Sequence, residues 1–216
     1  MGYSRRSLLT LILALSIAVA CTRAPGGGLV YAGPVEQTVS AGDFIPGTGI
    51  QFLRGGEKGA EFMIGDQEAV KMVGDSLKWA GPVGDGIYLQ VALRTLHISS
   101  DRLVSGGTVK ITVDDPNPQP GSVDESRPVR YTVPVTYRVN QGDAIPGTTI
   151  IYAGTTEGKG AVLEGIEGYP YRSIGDSIVW DGSLRANVDL HLNVRVLFYN
   201  NSFMQVGGLA TVGITP

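Results

Sequence analysis

The chain has 216 residues, a formal net charge of −3, two histidines and a single cysteine. That composition offers no basic footprint for nucleic acid. One cysteine rules out a disulfide within the chain, and no three or four Cys/His ligands cluster at a spacing suited to zinc. No cofactor is expected.

The first segment reads as an address rather than as fold. Arg5 and Arg6 form a positive stretch, Leu8 to Ala20 is apolar, and Ala18-Val19-Ala20 places small residues just before Cys21. These residues resemble the lipobox signal peptide of bacterial lipoproteins. The resemblance implies that 1–20 is removed and that Cys21 carries acyl chains holding the protein to a membrane on its extracytoplasmic side. The alternative is an ordinary cleavage site that leaves Cys21 unmodified. The apolar run is shorter than the roughly 20 residues a bilayer span needs, so lipid would anchor the chain, each buried methylene contributing about 0.8 kcal/mol. Ser4-Arg5-Arg6-Ser7-Leu8-Leu9 also resembles the twin-arginine export motif, which implies export in the folded state.

Residues 21–28 are Gly-rich and read as a flexible tether. Beyond them the chain repeats itself. Leu29 to Val113 is echoed from Val129 to Ile214: Gly42-Asp43-Phe44-Ile45-Pro46-Gly47-Thr48 returns as Gly142-Asp143-Ala144-Ile145-Pro146-Gly147-Thr148, Gly74-Asp75-Ser76 as Gly175-Asp176-Ser177, and Gly106-Gly107 as Gly207-Gly208. The domain reading is a first repeat at 29–113, a Pro-rich linker at 114–128 and a second repeat at 129–216.

Both repeats carry the period of two that marks strands with one face on a core. Tyr131, Val133, Val135, Tyr137 and Val139 alternate with polar residues, as do Ile87, Leu89, Val91, Leu93 and Val188, Leu190, Leu192, Val194, Val196. Pro34 and Pro134 occupy the same place in the first strand of each repeat, which suits an edge strand or a bulge. Gly-Asp and Gly-Gly pairs punctuate the strands as turns. The fold expected is all-β: two tandem immunoglobulin-like antiparallel β-sandwich domains of about 85 residues, each large enough to bury roughly 60% of its unfolded surface. The alternating prolines of 114–120 suggest a semi-rigid spacer that holds the two domains apart.

The tryptophan-glycine segment followed by a long alternating strand, at Ser76 to Gly81 with Ile87 to Leu96 and at Ser177 to Leu184 with Val188 to Leu197, resembles the immunoglobulin-like repeats of bacterial surface proteins. That resemblance implies a sandwich used as spacer, stalk or adhesive module.

Catalytic groups are sparse. His97 and His191 stand at non-equivalent places, and neither has a nucleophile and carboxylate in its local sequence. Asp114, Asp115, Asp124 and Glu125 could offer oxygen ligands to calcium, but they lack a calcium-loop pattern and read as a solvated linker; no metal site is expected. Trp79 and Trp180 read as core residues. The repeats differ most where Glu68-Ala69-Val70-Lys71 becomes Tyr169-Pro170-Tyr171-Arg172 and Ser99-Ser100 becomes Asn200-Asn201 after Phe198-Tyr199. Aromatic rings beside polar donors suit sugar faces or protein hot spots, so Tyr169, Tyr171, Arg172, Tyr199 and Asn200 are the candidate ligand-binding residues. The function expected is a non-catalytic, lipid-anchored envelope protein with an envelope protein partner, serving as a structural or interaction module; the alternative is a polysaccharide-binding surface lipoprotein.

Overall fold

The computed structural model describes residues 27–216, so the signal peptide, Cys21 and most of the tether lie outside the described residues. Those residues form strands and turns and no helix. The first repeat contributes β1 (Leu29–Ser40), β2 (Ile50–Gly56), β3 (Gly59–Ile64), β4 (Gln67–Lys71), β5 (Ser76–Gly84), β6 (Ile87–Ile98) and β7 (Arg102–Val113). The linker adds β8 (Gln119–Pro120). The second repeat follows as β9 (Val129–Asn140), β10 (Ile151–Thr156), β11 (Gly160–Glu164), β12 (Tyr171–Arg172), β13 (Ser177–Arg185), β14 (Val188–Tyr199) and β15 (Phe203–Ile214).

All pairings are antiparallel. In the first repeat a four-stranded sheet, β1-β7-β6-β5, packs with a three-stranded one, β2-β3-β4; in the second the sheets are β8-β13-β14-β15-β9 and β10-β11-β12. The all-β sandwich architecture is therefore present, but the immunoglobulin strand order is not. That order places the second and third strands in opposite sheets; here β2, β3 and β4 stay together. The turns explain why. Glu57-Lys58, Gly65-Asp66 and Asp85-Gly86 each join strands in direct register, and a two-residue connection can reach only the adjacent antiparallel strand.

The alternating apolar positions point inward as their period requires. Leu77, Leu89, Val91, Leu93, Leu103 and Ile111 meet Phe52 and Phe62 in the first repeat; Ile178, Leu190, Leu192, Val194 and Val206 have the same role in the second. The repeated Gly-Gly pair is a packing requirement. At Gly107 a Cβ would lie 2.1 Å from the Ala92 carbonyl oxygen, and at Gly208 2.2 Å from that of Asn193. Gly106 and Gly207 make room for Leu96 and Leu197, the extra residues of β-bulges in β6 and β14. The Gly-Asp pairs are turns: in both repeats the aspartate accepts a backbone N–H three residues earlier, from Met72 to Asp75 and from Ser173 to Asp176.

Edge strands β1 and β9 meet each other, and their shared proline sits at the meeting point. A Cβ on Gly33 would lie 2.8 Å from the Pro134 ring, so the close approach needs glycine there. The strands run in opposite directions, since Leu29 and Val30 border the same cavity as Tyr137, Arg138 and Val139. Around this axis the contacts are reciprocal. Gly47 of the first repeat packs on Val129, and Gly147 of the second packs near Leu29 and Tyr31. The buried Tyr131 hydroxyl donates to the Pro46 carbonyl at 2.7 Å, and burial pushes its pKa above the ordinary tyrosine range. The Ile-Pro-Gly-Thr segment recurs in the sequence because each copy plugs the junction with its partner. Buried residues of both repeats form one continuous apolar cluster.

The linker does not act as a free spacer. Pro120 and Gln119 lie opposite Gly182 and Ser183, Asn117 N–H donates to Leu184 O at 2.8 Å, and Gly121 N–H donates to Asp181 O at 3.0 Å. Its second half is pinned to the outer face of β14. Arg127 donates twice to the Asp189 carboxylate, at 2.5 and 2.8 Å, and Asp124 N–H adds a third bond at 2.9 Å. Asp189 faces outward by its period, yet this cover leaves it only 5% exposed. Asp124 serves as a turn cap: its carboxylate accepts the N–H and O–H of Ser126, bonds that hold its pKa below the usual range.

Candidate binding groove of the second repeat

The site residues named from the sequence gather at the end of the second repeat farthest along β14. Tyr169 and Tyr171 share one loop, their rings edge to face with centroids 5.2 Å apart. Tyr169 is 66% exposed, while Tyr171 is half-buried. The loop forms because Pro170 has no N–H for a ladder; β12 keeps two register pairs where β4 has five. Arg172 is committed to its own loop. Its Nη1 donates to the carbonyls of Tyr169 at 2.5 Å and Tyr171 at 2.9 Å, and its Nε donates to Ser177 O at 3.3 Å, so it holds the tyrosines in place.

Tyr199 and Asn200 stand on the neighbouring wall. With Thr155, Thr156, Glu157, Lys159, Ser173 and Asn201 they line an open groove of about 670 Å³. Asn200 is partly spent on structure: its side-chain oxygen accepts the N–H groups of Ser202 at 2.9 Å and Phe203 at 3.0 Å, and its backbone carbonyl accepts the Tyr152 hydroxyl. Burial, and then the neighbouring Tyr199, raise the pKa of Tyr152. Thr155 donates to the Asn201 amide oxygen, so the two walls are bridged at one end.

Lys159 joins the two halves of the site and was not singled out from the sequence. Its ammonium sits 4.9 Å from the Tyr171 ring centroid while its residue lines the groove. The signal was available. The offset between repeats changes from 100 at Phe52/Tyr152 to 101 at Ala60/Ala161, so the inserted residue falls in the turn that carries Lys159. In the first repeat that turn is Glu57-Lys58; in the second it is Glu157-Gly158-Lys159, opened by Gly158 at φ 72°.

The two histidines have different surroundings. His191 Nδ1 lies 2.6 Å from Asp181 Oδ1, a pair that faces across the register of β13 and β14 with both side chains about 40% exposed. It is a cross-strand polar pair on an outer face, with no hydroxyl or thiol among its hydrogen-bond partners. The tryptophans also differ. Trp180 is buried and its Nε1 donates to Thr149 Oγ1 at 3.2 Å, whereas Trp79 is only half-buried. Among the described residues no group of three or more His, Cys, Asp or Glu converges to hold a metal ion, and no helix is long and apolar enough to cross a membrane.

Comparison of the chain with protein-family models, with curated proteins and with solved structures found no match in any of the three.

Proposed function

We propose that this chain is a non-catalytic, lipid-anchored envelope protein, tethered through Cys21 on the extracytoplasmic side and serving as a structural or protein-interaction module. The observation that carries this reading is an asymmetry. On a scaffold used twice, only the second repeat has gathered aromatic, amide and cationic side chains at this end: Lys159, Tyr199 and Asn200 line an open groove, and Lys159 also caps the ring of Tyr171, which packs on Tyr169 beside it. Exposed aromatic rings beside a cation and amides are the composition of protein hot spots. Two repeats locked into one core would present that groove on a firm support. A photoreactive residue replacing Tyr169 in intact cells is expected to capture one envelope protein, while the same residue at Ser99 captures none; no adduct at either place overturns the interaction reading. Cys21→Ser is expected to move the protein from the membrane to the soluble fraction, and retention in the membrane would overturn the anchor.

Polysaccharide binding at the same end of the second repeat is the second reading, supported by the exposed ring of Tyr169 beside the groove and by the hydroxyl and amide groove lining of Thr155, Thr156, Ser173 and Asn201. Tyr171→Ala is then expected to weaken retention on cell-envelope polysaccharide about tenfold without unfolding the domain. A wild-type protein that shows no retention removes this reading.

A further inference from the structure

The repeat scaffold contains a second docking place, used in one copy and open in the other. In the second repeat, Trp180 lies against Gly182, and the linker pairs edge to edge with β13 at that place: a Cβ on Gly182 would meet the Gln119 carbonyl oxygen at 2.2 Å and the Trp180 ring at 2.6 Å. The segment lying there, Pro116-Asn117-Pro118-Gln119-Pro120, has proline at every other residue. The first repeat has the same platform. Trp79 lies against Gly81 at 2.9 Å by the same measure, at the corresponding place in β5. Among the described residues β5 is the last strand of its sheet and has no counterpart of β8 beside it. Trp79 instead forms one wall of an open cavity of about 610 Å³ with Phe44, Pro46, Pro82, Val83 and Val129.

Two substitutions tune this open copy for a ligand from elsewhere. Thr149, which accepts the Trp180 indole N–H, corresponds to Gly49, where a Cβ would lie 3.7 Å from the Trp79 indole nitrogen, so the hydroxyl that takes this N–H in the second repeat is missing in the first. Ser183, which lies opposite Gln119, corresponds to Pro82, which has no N–H, so an ordinary strand cannot pair there as β8 pairs with β13. A polyproline segment does not need that ladder. Its rings pack on aromatic and proline surfaces and its carbonyls accept from an indole N–H.

We propose that the Trp79 cavity of the first repeat binds an extended Pro-x-Pro segment of a partner protein, at the place that corresponds to where the second repeat holds the chain's own Pro-x-Pro linker, with ring packing in place of the backbone ladder. The cavity is continuous with the junction between repeats through Val129, so the bound segment would lie along an interface that is already built. This inference goes beyond the groove at Tyr169 and uses a different surface, so either can fail without the other.

The chain has two tryptophans, hence two indole N–H signals in a ¹⁵N-correlated spectrum. The full-length protein in detergent is titrated with the peptide Asp-Pro-Asn-Pro-Gln-Pro-Gly, which copies residues 115–121. The Trp79 signal is expected to move and saturate while the Trp180 signal stays still. Phe44→Ala, at a side chain 55% exposed and so harmless to folding, is expected to weaken the response about tenfold. A peptide with alanine in place of proline is expected to leave Trp79 unmoved. The proposal is overturned if Trp79 does not respond to millimolar peptide, if the alanine peptide moves it equally, or if Phe44→Ala leaves the affinity unchanged.

Discussion

Tyr131→Phe tests whether the two repeats fold as one body. The substitution keeps the buried ring and removes only the hydroxyl that donates to Pro46 across the junction, a bond of 2.7 Å in a partly buried setting. The net value of such a bond is about 1 kcal/mol, and leaving the half-buried Pro46 carbonyl without its donor brings the loss to about 1–3 kcal/mol. For a body of this size, that lowers the melting temperature by about 3–10 °C. Calorimetry should record one transition that moves as a whole, because the apolar cluster is continuous. Alkali supplies a second readout. The phenol's pKa is raised by burial, so its contribution is intact below the unfolded tyrosine value of about 10 and is lost as pH rises above it. Tyr131→Phe should flatten the decline in stability above that pH. Two separate transitions with only one displaced, or a shift under about 1 °C, would refute the reasoning.

Gly107→Ala and Gly208→Ala force a Cβ against a neighbouring carbonyl and should each cost about 3 kcal/mol or more, read as a lower urea midpoint. Gly42→Ala meets no atom within 4 Å but stands at φ 90°, so its cost should be only about 1–2 kcal/mol. Asp189→Ala strands the Arg127 guanidinium, whose side chain is 12% exposed, and should cost about 3–5 kcal/mol. The same change should expose 121–128 to a glutamate-specific protease at Glu125, and an unchanged cleavage rate would show that the strap is held by other contacts. Arg185→Ala removes an ion pair to Asp85, which is 96% exposed, and should change stability by less than about 1 kcal/mol.

How much of this was legible depended on the range of the interaction. The inward faces of β9, β6 and β14 followed from alternation alone, because a side chain's face is set by its own backbone. Pro34 and Pro134 narrowed β1 and β9 to an edge strand or a bulge, since a missing N–H is a local fact, and both lie at sheet edges. Strand order was not legible because it rests on which turns are tight enough to force neighbours together. His191 looked solitary because Asp181 becomes its partner only through the register of two strands. Asp189 looked solvated because the linker that covers it is distant in sequence. The cluster at Tyr169, Tyr171 and Tyr199 was visible as a difference between copies, but Lys159 needed the inserted residue to be located within a turn. The outer faces of β1 and β9 gave no sign of the junction, because residues that meet the other repeat show the same alternation as those that meet their own core.

The reciprocal packing of β1 on β9 has a consequence for how the molecule could specialise. Had the same halves met as separate identical subunits, every change in one would appear in the other, and neither a single open Trp platform nor a single tyrosine groove could exist. Joined end to end in one polypeptide, the halves keep their mutual fit while each accumulates its own substitutions. Gly49 against Thr149, Pro82 against Ser183 and Val70 against Tyr171 are differences that only a covalent pair can hold. Duplication in this protein supplies one lasting architecture and two independent surfaces.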